Sequence, residues 1–226
     1  MQKPRRTQAE RREATIRKVL DAASEILVES GYAGTSMQLV ATRAGVSIGG
    51  LFRHFPTREA LMVAVGKDVG AQILAKYTHA FESLHDTEDP LVLALRLLRD
   101  TCRSRINQVW LELVHACRTD PALRKALAPV GKTYAAQIED LARVLLPDLA
   151  AKLGDRFSLL VDTVVAVFDG EQLHRMLYSD REMENARIDA LAAVARALVN
   201  SASAVAASRP ERTTTDRRTE TRAPSR

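Results

Sequence analysis

Hydrophobic residues recur at intervals of three and four along most of the chain, which is the spacing of one face of an α-helix. The first such stripe predicts a helix over about residues 8–30, and its members are Ile16, Val19, Leu20, Ala23, Ile26 and Leu27. Gly31 follows the stripe, and glycine adopts the positive φ of a helix C-terminus without steric cost. The chain is therefore expected to begin with one long amphipathic helix.

Two short helices separated by a tight turn are predicted next. The first is capped by Ser36 or Thr35 and is stopped by Gly45, and the second follows the potential cap Ser47 and ends near Phe55. Short helices joined by a turn of three to four residues can pack only if they cross steeply. This is the arrangement of a helix–turn–helix.

Longer stripes with helix-start signals fill most of the remaining chain. Thr57 precedes one of them, and Asp89 and Asp120 each offer an N-cap carboxylate followed by proline, whose missing N–H costs nothing at the first helical position. Further helices are predicted from about Asp155 and over 183–206. The predicted fold class is all-α with about nine helices, an N-terminal three-helix unit followed by a larger C-terminal helical bundle.

The composition predicts a protein with a packed core and gives no sign of a membrane span, a disulfide framework or a metal site. The chain has 226 residues, of which 46% are hydrophobic, and no apolar run approaches the ~18–20 residues of a membrane span. Its start lacks the apolar stretch of a secretory signal, so we expect a cytoplasmic location. Two cysteines without metal-type spacing predict neither a disulfide framework nor a metal site, and no cofactor is expected.

Charge is distributed unevenly along the chain. Residues 1–66 have a net charge of +4, residues 67–207 of −2, and residues 208–226 of +3. A basic front indicates that the N-terminal part meets a polyanion. The last 19 residues contain no side chain that could join a core, so they are expected to form a disordered tail, either a spacer or a non-specific aid to DNA binding.

The second short helix has an unusual outward face. Its exposed positions contain no acidic residue and are expected to be Ser47, Ile48, Gly49, Gly50, Arg53 and His54. Two glycines inside a helix cost about 1 kcal/mol each relative to alanine. They are explained if this helix must press closely into another surface, such as the ~12 Å major groove of DNA.

Several groups of residues occur at fixed spacings between about residues 12 and 72. They are Leu20-Asp21-Ala22-Ala23, Gly31-Tyr32, Thr35-Ser36, Val40-Ala41, Ala44-Gly45-Val46-Ser47, Leu51-Phe52-Arg53-His54-Phe55 and Arg58-Glu59-Ala60-Leu61. In this region the chain closely resembles the TetR family of bacterial transcriptional regulators. The phrases Trp110-Leu111-Glu112-Leu113 and Arg118-Thr119-Asp120-Pro121 resemble one subgroup of the family's second domain.

The resemblance implies a domain plan and a function. Residues 1–11 would be a basic flexible arm, 12–72 the DNA-binding domain with the helix–turn–helix at about 36–55, 73–207 the effector-binding and dimerisation domain, and 208–226 the tail. The protein would be a repressor that binds a palindromic operator on double-stranded DNA as a homodimer and is released by a small effector. An activator, or a DNA-binding protein without an effector, is the alternative.

The resemblance also assigns DNA contacts residue by residue. Phosphate contacts at the starts of the second and third helices would come from Thr35, Ser36 and Ser47. Phosphate contacts after the third helix would come from Arg53, His54 and Arg58. Phe52 stands where the family usually has tyrosine; it lacks the hydroxyl and is expected to pack into the core. Base reading would come from Gln38, Arg43, Ile48, Gly49 and Gly50.

The later helices would enclose a pocket and form the dimer. A small apolar or amphipathic effector is expected, and the candidate contacts are residues with polar tips in apolar surroundings: Arg103, Trp110, His115, Tyr134, Gln137, Gln172 and His174. The last two helices, about 156–179 and 183–206, would pair with their symmetry mates. The helix after Thr57 would couple the pocket to the DNA-binding domain.

Two other classes of protein fit the sequence less well. An enzyme is not favoured, because the chain has no Gly-rich phosphate loop, nucleophile elbow or metal-binding His pair, and no catalytic residue is assigned. A membrane-surface binder could use the basic, amphipathic residues 5–28. Their apolar face is better explained by packing on Leu39, Val40 and Phe55, so no membrane partner is expected.

Overall fold

The computed structural model describes residues 7–82 and 89–207, with side chains up to Ser201. Over these residues the fold is all-α, as predicted. It has ten helices: α1 (Gln8–Gly34), α2 (Met37–Ala44), α3 (Ile48–His54), α4 (Arg58–Glu82), α5 (Pro90–Cys102), α6 (Arg105–Ala116), α7 (Pro121–Leu145), α8 (Pro147–Leu153), α9 (Arg156–Arg175) and α10 (Arg181–Ala207).

Two predictions about the boundaries need correction. The helix start predicted at about residue 8 is confirmed, because Thr7 and Glu10 form a capping box that starts α1, so residues 8–11 belong to this helix and not to the arm that the resemblance implied. The sequence predicts one helix from Asp120 to Pro147 with no separate helix after it, but α7 ends at Leu145 and Pro147 begins an additional short helix, α8. The predicted arm at residues 1–6 and the predicted tail at 208–226 lie outside the described residues.

The helix–turn–helix is held by local caps. The Ser36 hydroxyl accepts a hydrogen bond from the Leu39 N–H, and the Ser47 hydroxyl accepts one from the Gly50 N–H, both at 3.1 Å. Gly45 ends α2 in the left-handed region, with φ 65°. Each of these local features was predicted, because each depends on neighbouring residues alone.

The core of the DNA-binding region continues into the second half of the chain. Val40, Leu51 and Phe55 are buried against α1, as expected, whereas Leu39 is exposed. The same apolar cluster includes residues of α4, α6 and α7, such as Leu113 and Leu123. α1 and α4, which flank the helix–turn–helix, therefore pack on α6 and α7. The predicted boundary at residue 72 passes through the middle of α4.

A second core joins α5, α8, α9 and α10. Its largest fully buried side chains are Phe157 and Phe168 of α9, which pack with Leu95, Leu153 and Ile188. The two cores leave a cavity between them. The fold thus places a small helical unit at one end and an apolar cavity in the body of the protein.

Candidate DNA-binding and effector-binding sites

Five exposed residues of α2 and α3, together with the two serines that cap these helices, form what we call the α2–α3 surface. It consists of Ser36, Gln38, Ser47, Ile48, Gly49, Phe52 and Arg53. Neither helix contains an acidic residue. The two serines are N-caps, and a cap satisfies only part of the free N–H groups at a helix start, so both starts remain attractive to anions. This surface is suited to a polyanion.

Packing within the protein does not explain why residue 49 lacks a side chain. A Cβ atom built at Gly49 would meet no other described atom within 4 Å, whereas one at Gly50 would lie 3.0 Å from the Ser47 hydroxyl oxygen. A side chain at position 50 would therefore crowd the capping hydroxyl of Ser47. Gly49 faces open space, where only an approaching partner would favour the absence of a side chain.

Large apolar side chains are also exposed on this surface. Ile48 is 36% exposed and Phe52 is 45% exposed, so Phe52 does not pack into the core as expected. Arg53 is exposed beside them, and His54 is half-buried with its ring centroid 6.4 Å from that of Phe55. An apolar residue flanked by a cation and capped helix starts suits a surface that contacts both bases and phosphates.

Three of the predicted DNA contacts face the protein interior or α1 instead. Thr35 is 1% exposed, and its hydroxyl donates to the Gly31 carbonyl at 2.8 Å. The Arg43 guanidinium pairs with Glu29 at 3.0 Å and with Glu25 at 3.4 Å, because α2 lies against these carboxylates of α1. The structure therefore gives the side chains of Thr35 and Arg43 partners within the chain.

Arg58 is the third. Its guanidinium lies 3.8 Å from the centroid of the Tyr32 ring, and it donates a hydrogen bond to the Tyr32 carbonyl oxygen. That oxygen lies in the last turn of α1, where a carbonyl has no helical i+4 donor, and it also accepts a hydrogen bond from the Thr35 N–H at 3.1 Å. Arg58 thus ties α4 to the end of α1, a role that differs from the predicted phosphate contact.

Tyr32 is the centre of a junction between four helices. Its backbone N–H donates to the carboxylate of Glu112 in α6, and its hydroxyl donates to Asp120, the N-cap of α7, both at 2.6 Å. Burial and the hydrogen bond to Asp120 raise the pKa of Tyr32 to about 12. The Tyr32 junction, formed by Tyr32, Arg58, Glu112 and Asp120, joins the DNA-binding region to the helices around the cavity.

The cavity has a volume of about 230 Å³ and lies among α4 to α9. Two of the predicted effector contacts, Trp110 and Tyr134, line it, with their ring centroids 4.9 Å apart. Most other lining residues are aliphatic. The polar lining residues that sequence reasoning missed are Tyr77, Thr101, Asn107 and Asp169. For Asp169 a signal existed, since it interrupts the apolar run of α9 after Phe168.

The other predicted effector contacts do not line this cavity. His115, Gln137 and His174 are exposed, because they occupy the outer faces of their helices, and Gln137 borders a separate groove between α4 and α7. Gln172 is buried elsewhere. Arg103 pairs with Glu171 at 2.5 Å and with Glu184 at 2.8 Å.

Arg103 belongs to a charge network that fastens α9 to α10. Arg175 and Arg187 add further pairs to Glu184 and Glu171 respectively. Burial acts to raise the pKa of Glu184, but hydrogen bonds from Arg175 and Ser179 outweigh it and hold this pKa below its usual value. The Arg103 guanidinium is therefore directed at carboxylates of α9 and α10 and not into the cavity.

No group of three or more potential metal ligands occurs among residues 7–82 and 89–207. None of the helices described there combines the length and apolar character that a bilayer span requires.

A capped, glycine-bearing short helix exposed beside a second short helix defines the class of helix–turn–helix DNA-binding proteins. Residues 19–65 match the family model described as bacterial regulatory proteins, tetR family. An uncharacterised HTH-type transcriptional regulator of Mycobacterium tuberculosis is 36% identical over 189 residues, which is 84% of this chain and 96% of that protein. The HTH-type transcriptional regulator CymR of Pseudomonas putida is 32% identical over 62% of this chain and 70% of its own length.

A solved structure is also similar to this chain. The multidrug binding protein EbrR, crystallised with imidazole, superimposes with a TM-score of 0.60 at 26% identity, over 84% of this chain and 97% of its own. The chain belongs to the TetR family. It is a helix–turn–helix transcriptional regulator, and it is not an enzyme.

Proposed function

We propose that the protein is a repressor that acts in the cytoplasm, binds a palindromic operator as a homodimer, and is released when a small molecule enters the cavity. The observation that carries this proposal is the α2–α3 surface. It combines two capped helix starts, an exposed glycine, an exposed isoleucine and a free cation without any acidic side chain.

Roles for individual residues follow from their exposure. We assign base contacts to Gln38 and Ile48, since an amide pairs well with adenine and an aliphatic side chain packs on the thymine methyl group. Gly49 allows the backbone of α3 to approach the groove. Ser36, Ser47 and Arg53 are assigned to phosphates, which position the helix without reading sequence.

Dimer formation is supported by an exposed apolar stripe on α9 and α10. The large apolar side chains exposed there are Leu159, Leu173, Met176, Met183 and Val194, with Leu177 and Tyr178 in the turn between the helices. Several large apolar side chains exposed on two neighbouring helices favour an interface there. A two-fold pair of such helices would form a four-helix contact, and a dimer would present two α3 helices to one duplex.

Release by an effector is supported by two connections between the cavity and the DNA-binding region. Trp110 lines the cavity, and Glu112, two residues further along α6, bonds to Tyr32 in the junction. α4 has Ile73 and Tyr77 at the cavity and Arg58 at the junction. A ligand that shifts either helix would alter the separation of the two α3 helices, which must match half-sites about 34–36 Å apart.

EbrR supports the same idea, since it is described as a multidrug binding protein and was crystallised with imidazole. In our proposal the corresponding role falls to the cavity around Trp110 and Tyr134.

The proposal is tested by selecting fragments of the source genome that the purified protein retains. We expect an enriched inverted repeat with half-site centres about one helical turn, or a small multiple of it, apart. Enrichment of a single, asymmetric site would contradict binding as a symmetric dimer. Enrichment that follows base composition alone would contradict sequence-specific binding.

A further inference from the structure

The cavity contains one carboxylate in otherwise uncharged surroundings. Among the described residues that line it, Asp169 is the only one with a carboxylate, and none is lysine, arginine or histidine. The rest are aliphatic or aromatic side chains and a few neutral polar groups. A ligand in this cavity therefore meets negative charge and no positive charge from the lining.

Neighbouring residues hold the Asp169 carboxylate in place. Its Oδ1 accepts a hydrogen bond from the Asn107 amide at 3.0 Å, and the same amide donates to the Cys102 carbonyl oxygen at 3.0 Å. Asn107 is 4% exposed, so this pair has a fixed geometry. A carboxylate has about four lone-pair sites, so Asp169 retains acceptor capacity for a ligand.

Burial makes this carboxylate costly to ionise in the empty cavity. It raises the pKa of Asp169, while hydrogen bonds from Asn107 and Cys102 and the charge of His115 act in the opposite direction. His115 does not line the cavity, so a bound cation would be the first positive charge to reach Asp169 from inside the cavity, and it would offset the desolvation cost. A bound anion would add a second negative charge beside the first and would be repelled.

The aromatic side chains of the cavity favour the same ligand. Trp110 and Tyr134 meet edge to face across part of the lining, and aromatic faces attract cations. The volume of about 230 Å³ is larger than the ~150 Å³ engineered cavity that holds benzene, so a substituted single ring or a small pair of rings would fit.

We propose that the effector is an apolar compound of one or two rings with a single protonated amine, and that its ammonium group pairs with Asp169. This inference rests on the proposed function, in which the cavity is the effector site. It narrows the small apolar or amphipathic effector to amphipathic cations and assigns Asp169 as the residue that selects them.

Three probes of one shape and different charge test the inference: para-butylbenzylamine, para-butylbenzyl alcohol and para-butylbenzoate. Binding to the full-length protein is measured by isothermal titration calorimetry without DNA. We expect the amine to bind about tenfold or more tightly than the alcohol, because a hydrogen bond to a charged group is worth more than a neutral one. We expect the benzoate to bind most weakly.

The variant Asp169→Asn completes the design, since it keeps the shape of the side chain and removes its charge. The amine should lose its advantage, while the affinity of the alcohol should change by less than about threefold, which also shows that the cavity is intact. A benzoate that binds wild type as tightly as the amine, an amine that does not bind, or an amine advantage that survives Asp169→Asn would overturn the inference.

The same probes separate this inference from the proposed function. Amine binding that depends on Asp169 but leaves the affinity for operator DNA unchanged would support the ligand class and contradict release by an effector. Tight binding of the alcohol with release of DNA, together with an amine that fails to bind, would support the effector site and contradict the ligand class.

Discussion

Gly49 lowers the stability of α3, although no described atom of the protein lies close enough to exclude a side chain at this position. Replacing this residue with alanine should stabilise the free protein by up to about 1 kcal/mol, because alanine is the better helix former. The same change should weaken operator binding, since the new methyl group would separate α3 from the groove. Urea unfolding and fluorescence anisotropy measure the two effects. A variant that is more stable and binds the operator as tightly as wild type would refute close approach at Gly49.

Arg53 and Arg58 form a matched pair of arginines five residues apart. Arg53→Ala should weaken binding to all DNA sequences similarly and reduce the slope of log K against log salt by about one, as loss of a phosphate contact does.

Arg58→Ala should instead lower the free energy of unfolding by about 1–3 kcal/mol, because it removes the contact with Tyr32 and leaves the Tyr32 carbonyl without this donor. Salt-dependent anisotropy and urea unfolding distinguish them, and the reverse pattern would contradict both assignments.

At the scale of helices, the Tyr32 junction gives a pH dependence of stability that can be measured. Burial and the hydrogen bond to Asp120 raise the pKa of Tyr32 to about 12 in the folded protein, above the usual tyrosine value of about 10. The hydroxyl is therefore protonated in the folded state at pH values where the unfolded chain has begun to lose the proton. Its contribution to stability is complete below the unfolded pKa and is lost as pH rises through the folded pKa.

Wild type should consequently lose stability more steeply than Tyr32→Phe between about pH 10 and 12. Phenylalanine keeps the ring that Arg58 covers and removes only the hydroxyl that donates to Asp120. The comparison is made by urea unfolding of both proteins at a series of pH values. Parallel pH profiles would show that the hydroxyl has no such role.

The helices themselves were largely predictable, because their start and stop signals are local. Ser36, Gly45 and Ser47 act within a few residues of their own positions, and the predicted caps are confirmed. Pro147 was ambiguous, since a proline both follows one helix and starts the next, and α8 was missed for this reason.

The orientation of long polar side chains was not predictable from periodicity. Whether Arg43 faces DNA or Glu29 depends on the angle between α1 and α2, and whether Arg103 faces the cavity or Glu171 depends on how α9 packs. Both angles result from contacts between residues far apart in the chain. Trp110 and Tyr134 line the cavity as predicted, whereas His115 lies on the outer face of α6. The face of a helix that meets the cavity depends on these long-range packing angles.

For the whole molecule, the exposed stripe on α9 and α10 predicts a dimer that a single charge can break. Leu159 is 68% exposed, and Leu159→Glu should yield a monomer in sedimentation equilibrium and weaken operator binding. Val114 of α6 is also exposed, at 43%, but lies outside the stripe, so Val114→Glu is the control and should remain dimeric. A dimeric Leu159→Glu variant that binds its operator normally would place the dimer interface elsewhere.

Entry of α3 into the major groove can be tested with a photo-crosslink from α3 to the bases of the operator. A photoreactive amino acid is placed at Ile48, and at Val114 as the control, in otherwise identical proteins bound to the selected operator. Irradiation should join residue 48 to bases within each half-site and should give no crosslink from residue 114. If residue 48 forms no crosslink to any base while the protein remains bound to the operator, α3 does not enter the major groove.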